Sequence, residues 1–263
     1  MKPRLTNGLI SRRIFLAVIS QGEHKDAMVL EKRNILLDLM SDGDRSLLAP
    51  SMEEITLAVR QPLFEPYRPI ESVYFMLSGL SSEIARAGDG DRVEVGCVGR
   101  EGLSGHTVLL GVDNTPHEAF VQVAGSALRI GVAEIRQAME ASSTLRQLLL
   151  RYVHVFMTQI AASALADARF TIDQRLARWL LMSQDRLGDV MPLTHDFLSL
   201  MLAVRRSGVT DAIHILEGDQ LIRAGRGVIT VRDRQGLVNR AGGSYGLPER
   251  EYERIMGATA SAA

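Results

Sequence analysis

Three textures of apolar and polar positions succeed one another along the chain. From Ile55 to Gly131, short apolar runs such as "SVYFML", "SEIARA", "DRVEVGCV", "AFVQVA" and "ALRIGV" alternate with the turn sequences "SG", "GDGD", "GREG" and "GVDN". Short strands punctuated by Gly, Asp and Asn predict an antiparallel barrel or sandwich. Ahead of them Ile35, Leu36, Leu39, Leu47 and Leu48, split by an Asp-Gly-Asp break, predict short helices. From Val132 through Leu187 there is neither Gly nor Pro. Within that stretch Leu145, Leu149, Tyr152, Phe156 and Ile160 fall at three- and four-residue steps, and Leu148, Val153, Val155 and Leu165 widen the face. The spacing predicts a helix of about 24 residues, about 36 Å long. Its apolar surface is broader than one side of a small β-domain requires. The preferred reading is that Leu145, Leu149, Tyr152, Phe156 and Ile160 pack on a second copy in a two-fold dimer, with burial inside the same chain as the alternative. Ala161, Ala162, Ala164 and Ala166 would allow close approach.

The third texture is helical again, but in short pieces. "TIDQRLARWLLMSQDRLG" predicts a helix starting near Thr171 or Asp173, and "LTHDFLSLML" a second one. Thr194 is a good N-cap, Asp196 complements the helix dipole, and Leu198, Met201 and Leu202 form an inward face. After a tight turn, Val209, Ile213 and Leu216 mark a further helix. Two short helices joined so closely cross steeply, and the second then projects its N-terminal side chains outward, the geometry that enters a DNA major groove. Arg205, Arg206, Ser207, Thr210, Asp211 and His214 occupy its remaining faces. Arginine suits phosphates or guanine O6 and N7, and Ser and Thr serve either role. "DQLIRAGRGVITVRDRQG" then reads as a hairpin with Arg226 at its tip, placed to touch a phosphate backbone. A short amphipathic helix and a frayed end close the chain.

Composition narrows the classes. A formal net charge of −1 over 263 residues means that nucleic-acid contact must come from a local basic patch. The single cysteine, Cys97, excludes an intrachain disulfide and a Cys-ligated cluster, and in "VEVGCV" it reads as a small core residue. Arg12-Arg13 followed by "IFLAVI" looks like a twin-arginine export signal. The run is at the short limit of the roughly 7–15 apolar residues such a signal needs, and no small-residue cleavage site follows. Residues 1–30 are therefore expected to be a disordered extension, or Met28 to be the working start. No run approaches the ~18 apolar residues of a membrane span, and a cytoplasmic location is expected. Among His24, His106, His117, His154, His195 and His214 no pair has ligand spacing, so no metal and no cofactor are expected. "GREGLSG" and "AGRG" lack the Lys-Ser/Thr of a phosphate loop, and an enzyme is the weakest reading.

The order of these parts resembles the Crp/Fnr family of bacterial transcription regulators. The specific segments are "PIESVYFMLSGLSSEI…GDRVEVGCVGREGLSG" and "LTHDFLSLMLAVRRSGVTDAIHILEGDQLIRAGRGVITVRD". The resemblance implies an α+β chain: an antiparallel β-roll of cyclic-nucleotide-binding (jelly-roll) type, a long dimerisation helix and a C-terminal winged helix-turn-helix. The corresponding ranges are an extension over 1–30, the roll over 31–131, the dimerisation helix over 132–169, the winged helix-turn-helix over 170–237 and a tail over 238–263. It also implies a homodimer, a near-palindromic DNA site and contact with RNA polymerase. Nucleotide-responsive members place a Gly-Glu pair for the ribose and an Arg-Ser pair for the phosphate. Here His106 stands near the glutamate's place and His117-Glu118 near the Arg-Ser, and Glu118 would repel a phosphate. Glu101, His106, His117 and Glu118 are the candidate pocket residues, and the roll is not expected to bind cyclic AMP. A regulator still responding to a cyclic nucleotide or other small ligand is the alternative. Arg205 replaces the usual Ser cap of the recognition helix.

Overall fold

The chain alternates strand and turn from Glu53 onward because apolar residues recur at every second position, each pointing to the same side of a pleated strand. A computed structural model describes residues 33–88 and 90–260, so the expected extension over 1–30 lies outside the described residues. Two short helices come first, α1 (Ile35–Asp38) and α2 (Asp42–Leu48), capped by the Asn34 and Ser41 side chains. Eight strands follow: β1 (Glu53–Leu57), β2 (Pro62–Phe64), β3 (Ser72–Met76), β4 (Leu80–Arg86), β5 (Arg92–Val98), β6 (Leu103–Ser104), β7 (Glu118–Val123) and β8 (Gly125–Gly131). They form two antiparallel sheets, ordered β1-β8-β3-β6 and β2-β7-β4-β5. The non-sequential order is that of a roll, and it answers the predicted barrel or sandwich.

The long helical stretch is two helices, α3 (Val132–Ala141) and α4 (Ser143–Arg169). Ser142 breaks it: its backbone is extended and its hydroxyl caps α4 by accepting from the Leu145 N–H. That hydroxyl in turn donates to Asp44 at 2.5 Å, which anchors α4 to α2. From there α4 runs along the roll. Leu145, Leu149, Tyr152 and Phe156 are all but inaccessible, packed with Val73, Phe75, Val98, Leu103 and Ile130 of the sheets. Ile160 is half-buried on the same cluster. The face read from the sequence as a dimer surface is therefore filled by the chain's own roll. The 3.6-residue period identified the stripe correctly and its occupant incorrectly. By length and composition alone α4 could cross a membrane, and this packing is what its apolar stripe serves.

A second core holds the C-terminal half. The helix α5 (Ile172–Leu187) starts in a capping box between Thr171 and Gln174. There follow β9 (Val190–Met191), α6 (His195–Leu202), α7 (Arg206–Gly218), the hairpin β10 (Ile222–Gly225) and β11 (Val228–Val231), and α8 (Arg234–Arg240). Trp179, Leu180, Met191, Leu198, Leu202, Val209, Ile213, Leu216 and Ile229 close this core. Leu80, Cys97 and Val123 of the roll belong to it as well, so the second unit is docked against the outer side of the β2-β7-β4-β5 sheet.

The short amphipathic helix expected near the C-terminus is present, and the frayed end expected after it lies outside the described residues. The helix α9 (Leu247–Ala260) returns along α4, with Met256 fully buried and the Tyr252 hydroxyl donating to the Glu101 carbonyl at 2.8 Å. Glu251 bonds His154 of α4 at 2.8 Å.

Candidate nucleic-acid interface

α6 and α7 are positioned by their caps and by one strained residue. The Thr194 hydroxyl accepts from the Phe197 N–H, as its place in the sequence suggests. Ala203 ends α6 in the left-handed conformation with φ 48°, a region where a Cβ costs about 1–2 kcal/mol. This turn lets α7 begin at Arg206 with Arg205 as a cap that makes no side-chain bond. Val209, Ala212, Ile213 and Leu216 bury one face. Arg205, Arg206, Ser207, Asp211 and His214 are exposed on the others, and Thr210 is half-exposed with its hydroxyl donating to the Arg206 carbonyl. Arg206 lies 3.4 Å from Asp196 in an exposed pair. Such a pair contributes little and leaves the guanidinium free to exchange partners.

The hairpin turns at Arg226-Gly227 between paired Gly225 and Val228. Gly227 has φ 73°, which a side chain would resist. Arg226 is exposed at this tip, as predicted from "AGRG", and the Glu217 side chain ties the hairpin to α7 by accepting from the Ala224 N–H at 2.7 Å. The structure thus brings the basic end of α7 and the basic wing onto one rigid unit.

The four candidate pocket residues are not brought together. His117 is exposed. Glu118 pairs with Arg92 and, at 3.3 Å, with Arg86. Glu101 is buried in an ion pair with Arg186 of α5, Nε to Oε1 at 2.8 Å, and also accepts from the Gly99 N–H. Only His106 faces the interior, with its ring centroid 4.4 Å from that of Phe156 and Nδ1 3.4 Å from Glu83. Phe156 reaches across to Gly96, where a Cβ would lie 2.8 Å from the ring. A cavity of about 30 Å³ remains between α4, α5 and α9, lined by Glu101, Tyr152, Phe156, Gln159, Arg186, Glu249 and Tyr252. Ligand pockets hold about 300–1,000 Å³, so this space is water-sized. Cys97 is a buried core residue, and burial pushes its thiol up to about 12, which removes it as a nucleophile. Sequence reasoning missed the Glu101–Arg186 pair because the partners are 85 residues apart.

Comparison with known proteins follows the same division. A family model described as a Crp-like helix-turn-helix domain matches residues 174–240. No curated protein sequence matches the chain. Among solved structures, FixK2 from Bradyrhizobium japonicum aligns with TM-score 0.63 at 18% identity, covering 72% of this chain and 96% of that one. CLP from Xanthomonas campestris, described as a c-di-GMP-responsive global regulator, aligns with TM-score 0.61 at 15% identity, covering 73% and 99%. A Crp/Fnr-family regulator from Thermus thermophilus aligns with TM-score 0.60 at 21% identity, covering 73% and 100%. The chain carries a Crp-like helix-turn-helix domain on the complete fold of the Crp/Fnr transcription regulators.

Proposed function

We propose that the protein is a sequence-specific DNA-binding transcription regulator that acts in the cytoplasm as a homodimer and that its roll does not take cyclic AMP. The observation that carries DNA binding is the pairing of α7, which presents Arg205, Arg206 and Ser207 from a helix locked by Val209, Ile213 and Leu216, with the wing that presents Arg226. In this geometry the helix end reads base edges and the wing meets phosphate. Selection of bound duplexes from a random pool tests it. Enrichment of one sequence is expected, and retention that ignores sequence would refute it.

The dimer rests on the other face of α4. Leu150, His154, Met157, Ala161 and Ala164 are exposed and follow one another at steps of four and three. That is the spacing of a coiled-coil seam, and the two alanines permit close approach. Leu150, Met157 and Leu165 are 38%, 59% and 59% exposed, an apolar stripe left open by the described residues of the chain, while His154 between them bonds Glu251 of α9. A second copy related by a two-fold axis would fill it, and two recognition helices so related would read a near-palindromic site. Contact with RNA polymerase remains an implication of the fold. For the roll, the filled interior around Phe156 and His106 supports the loss of the nucleotide site. Calorimetric titration with cyclic AMP and cyclic GMP is expected to give no heat, and micromolar binding of either would overturn the reading.

A further inference from the structure

The outer side of the β2-β7-β4-β5 sheet carries a carboxyl that the DNA-binding unit covers. Glu94 on β5 is 1% exposed, and its Oε1 has no hydrogen-bond partner. The neighbouring Ser82 hydroxyl favours its ionised form. That hydroxyl donates its single proton to Gln122 Oε1 at 2.9 Å, while Gln122 Nε2 donates to Met201 of α6 at 3.2 Å.

Two arginines of α5, Arg186 and Arg178, offset part of the cost of ionising Glu94, and the burial of the carboxyl outweighs them. On α5, Arg186 is committed to Glu101 and to the Met182 carbonyl. Arg178 bonds the Ser244 carbonyl and the Ser163 hydroxyl, and its Nη1 is left without a partner. Asp185 is held by Arg234 and Tyr245. The face that α6 turns inward is Leu198 and Met201, and its charged Asp196 pairs outward with Arg206. On β4, Glu83 faces Ser104 and His106. On β5 itself Arg92 pairs with Glu118, and Cys97 is a neutral thiol. The half-buried Glu249 of α9 acts on the two arginines, and Asp167 of α4 pairs with Arg175. Glu94 Oε1 and Arg178 Nη1 are both buried without a partner among the described residues. Each buried polar group left unsatisfied works against burial at this joint.

We infer that Glu94 is a proton-operated latch between the roll and the DNA-binding unit: protonated it keeps the unit docked on the sheet, and ionised it favours release. Burial raises the carboxyl from 4.5 to about 8 in the docked state, with Ser82, Arg186 and Arg178 acting in the opposite direction. Undocking returns it to water and to its ordinary range. The docked state therefore binds the extra proton. Docking is strongest below the ordinary carboxylate range and weakens as pH rises toward 8, by about tenfold per unit, levelling off above.

Hydrogen–deuterium exchange on the full-length protein reads this without DNA, so failure of the DNA-binding proposal would leave the test intact. Between pH 5.5 and 7.5 the protection factors of β5 and α6 amides, corrected for intrinsic exchange, should fall about tenfold per unit. Those of β1, β3 and β8 should not follow. Glu94→Gln, which cannot ionise, should flatten the dependence, and the wild-type series stands alone if that variant fails to fold. Flat wild-type protection, a parallel loss in β1, β3 and β8, or an equal slope in Glu94→Gln would each overturn the latch.

Discussion

Glu101→Ala exposes how strongly the two units are bound together. Glu101 sits on the loop between β5 and β6, Arg186 in the last turn of α5, and both side chains are under one-tenth exposed. Arg186 Nε and Nη2 each lie 2.8 Å from Glu101 Oε1, and the Gly99 N–H donates to both carboxylate oxygens. Removing the carboxylate strands a guanidinium whose only remaining bond among the described residues is Nη1 to the Met182 carbonyl. Breaking a buried pair from one side costs about 3–5 kcal/mol because the surviving charge stays buried. Glu101→Gln keeps an acceptor and should cost about 1–2 kcal/mol. Arg186→Met in the Glu101→Ala background removes the stranded charge, so the double variant should be less destabilised than the sum of the singles by about 2 kcal/mol. Urea denaturation followed by Trp179 fluorescence measures this, since Trp179 is the chain's one tryptophan, buried in α5 with Arg178 5.2 Å from its ring. Additivity of the single effects to within about 0.5 kcal/mol would refute the argument.

Three further outcomes are expected. Arg206→Ala should cost about 1–3 kcal/mol on the selected duplex and relax selectivity at one base pair per half-site, whereas Arg226→Ala should weaken all duplexes alike and lower the salt slope by about one unit; isotherms on specific and scrambled duplexes separate them. Met157→Glu with Ala161→Glu should give a folded monomer by sedimentation, because both positions are exposed, while Phe156→Asp should unfold the roll because that ring fills it. Ala203→Gly should stabilise the helix-turn-helix by about 0.5–1 kcal/mol in thermal melts, since relief of left-handed strain exceeds the added entropy of the unfolded chain.

Local rules governed what could be read from the residues. Caps at Thr171 and Thr194, the inward triad Val209, Ile213 and Leu216, and the Arg226-Gly227 turn depend on neighbours within a few positions, and each was found where its spacing put it. The strands over residues 53–131 were legible for the same reason, as alternation and turn residues are short-range signals. Ser142, a polar residue in a run without Gly or Pro, was read through as helix, although Ser is a natural cap and the break falls there.

Contacts between distant segments were not legible. Glu101 meets Arg186, Tyr252 meets Glu101 and Gln122 meets Met201 across 85, 151 and 79 residues, and no spacing in a single chain encodes such a meeting. α9 could be read as amphipathic but not as docked on α4. The long helix shows the limit most clearly, because it is apolar on two sides. Leu145, Leu149, Tyr152 and Phe156 follow one helical stripe, and Leu150, Met157, Ala161 and Ala164 follow another at the same period. Periodicity reports that a face is apolar and says nothing of what lies against it. The sequence determined the stripes; the sheets, by closing over the first and leaving the second bare, decided which of them the chain keeps for itself.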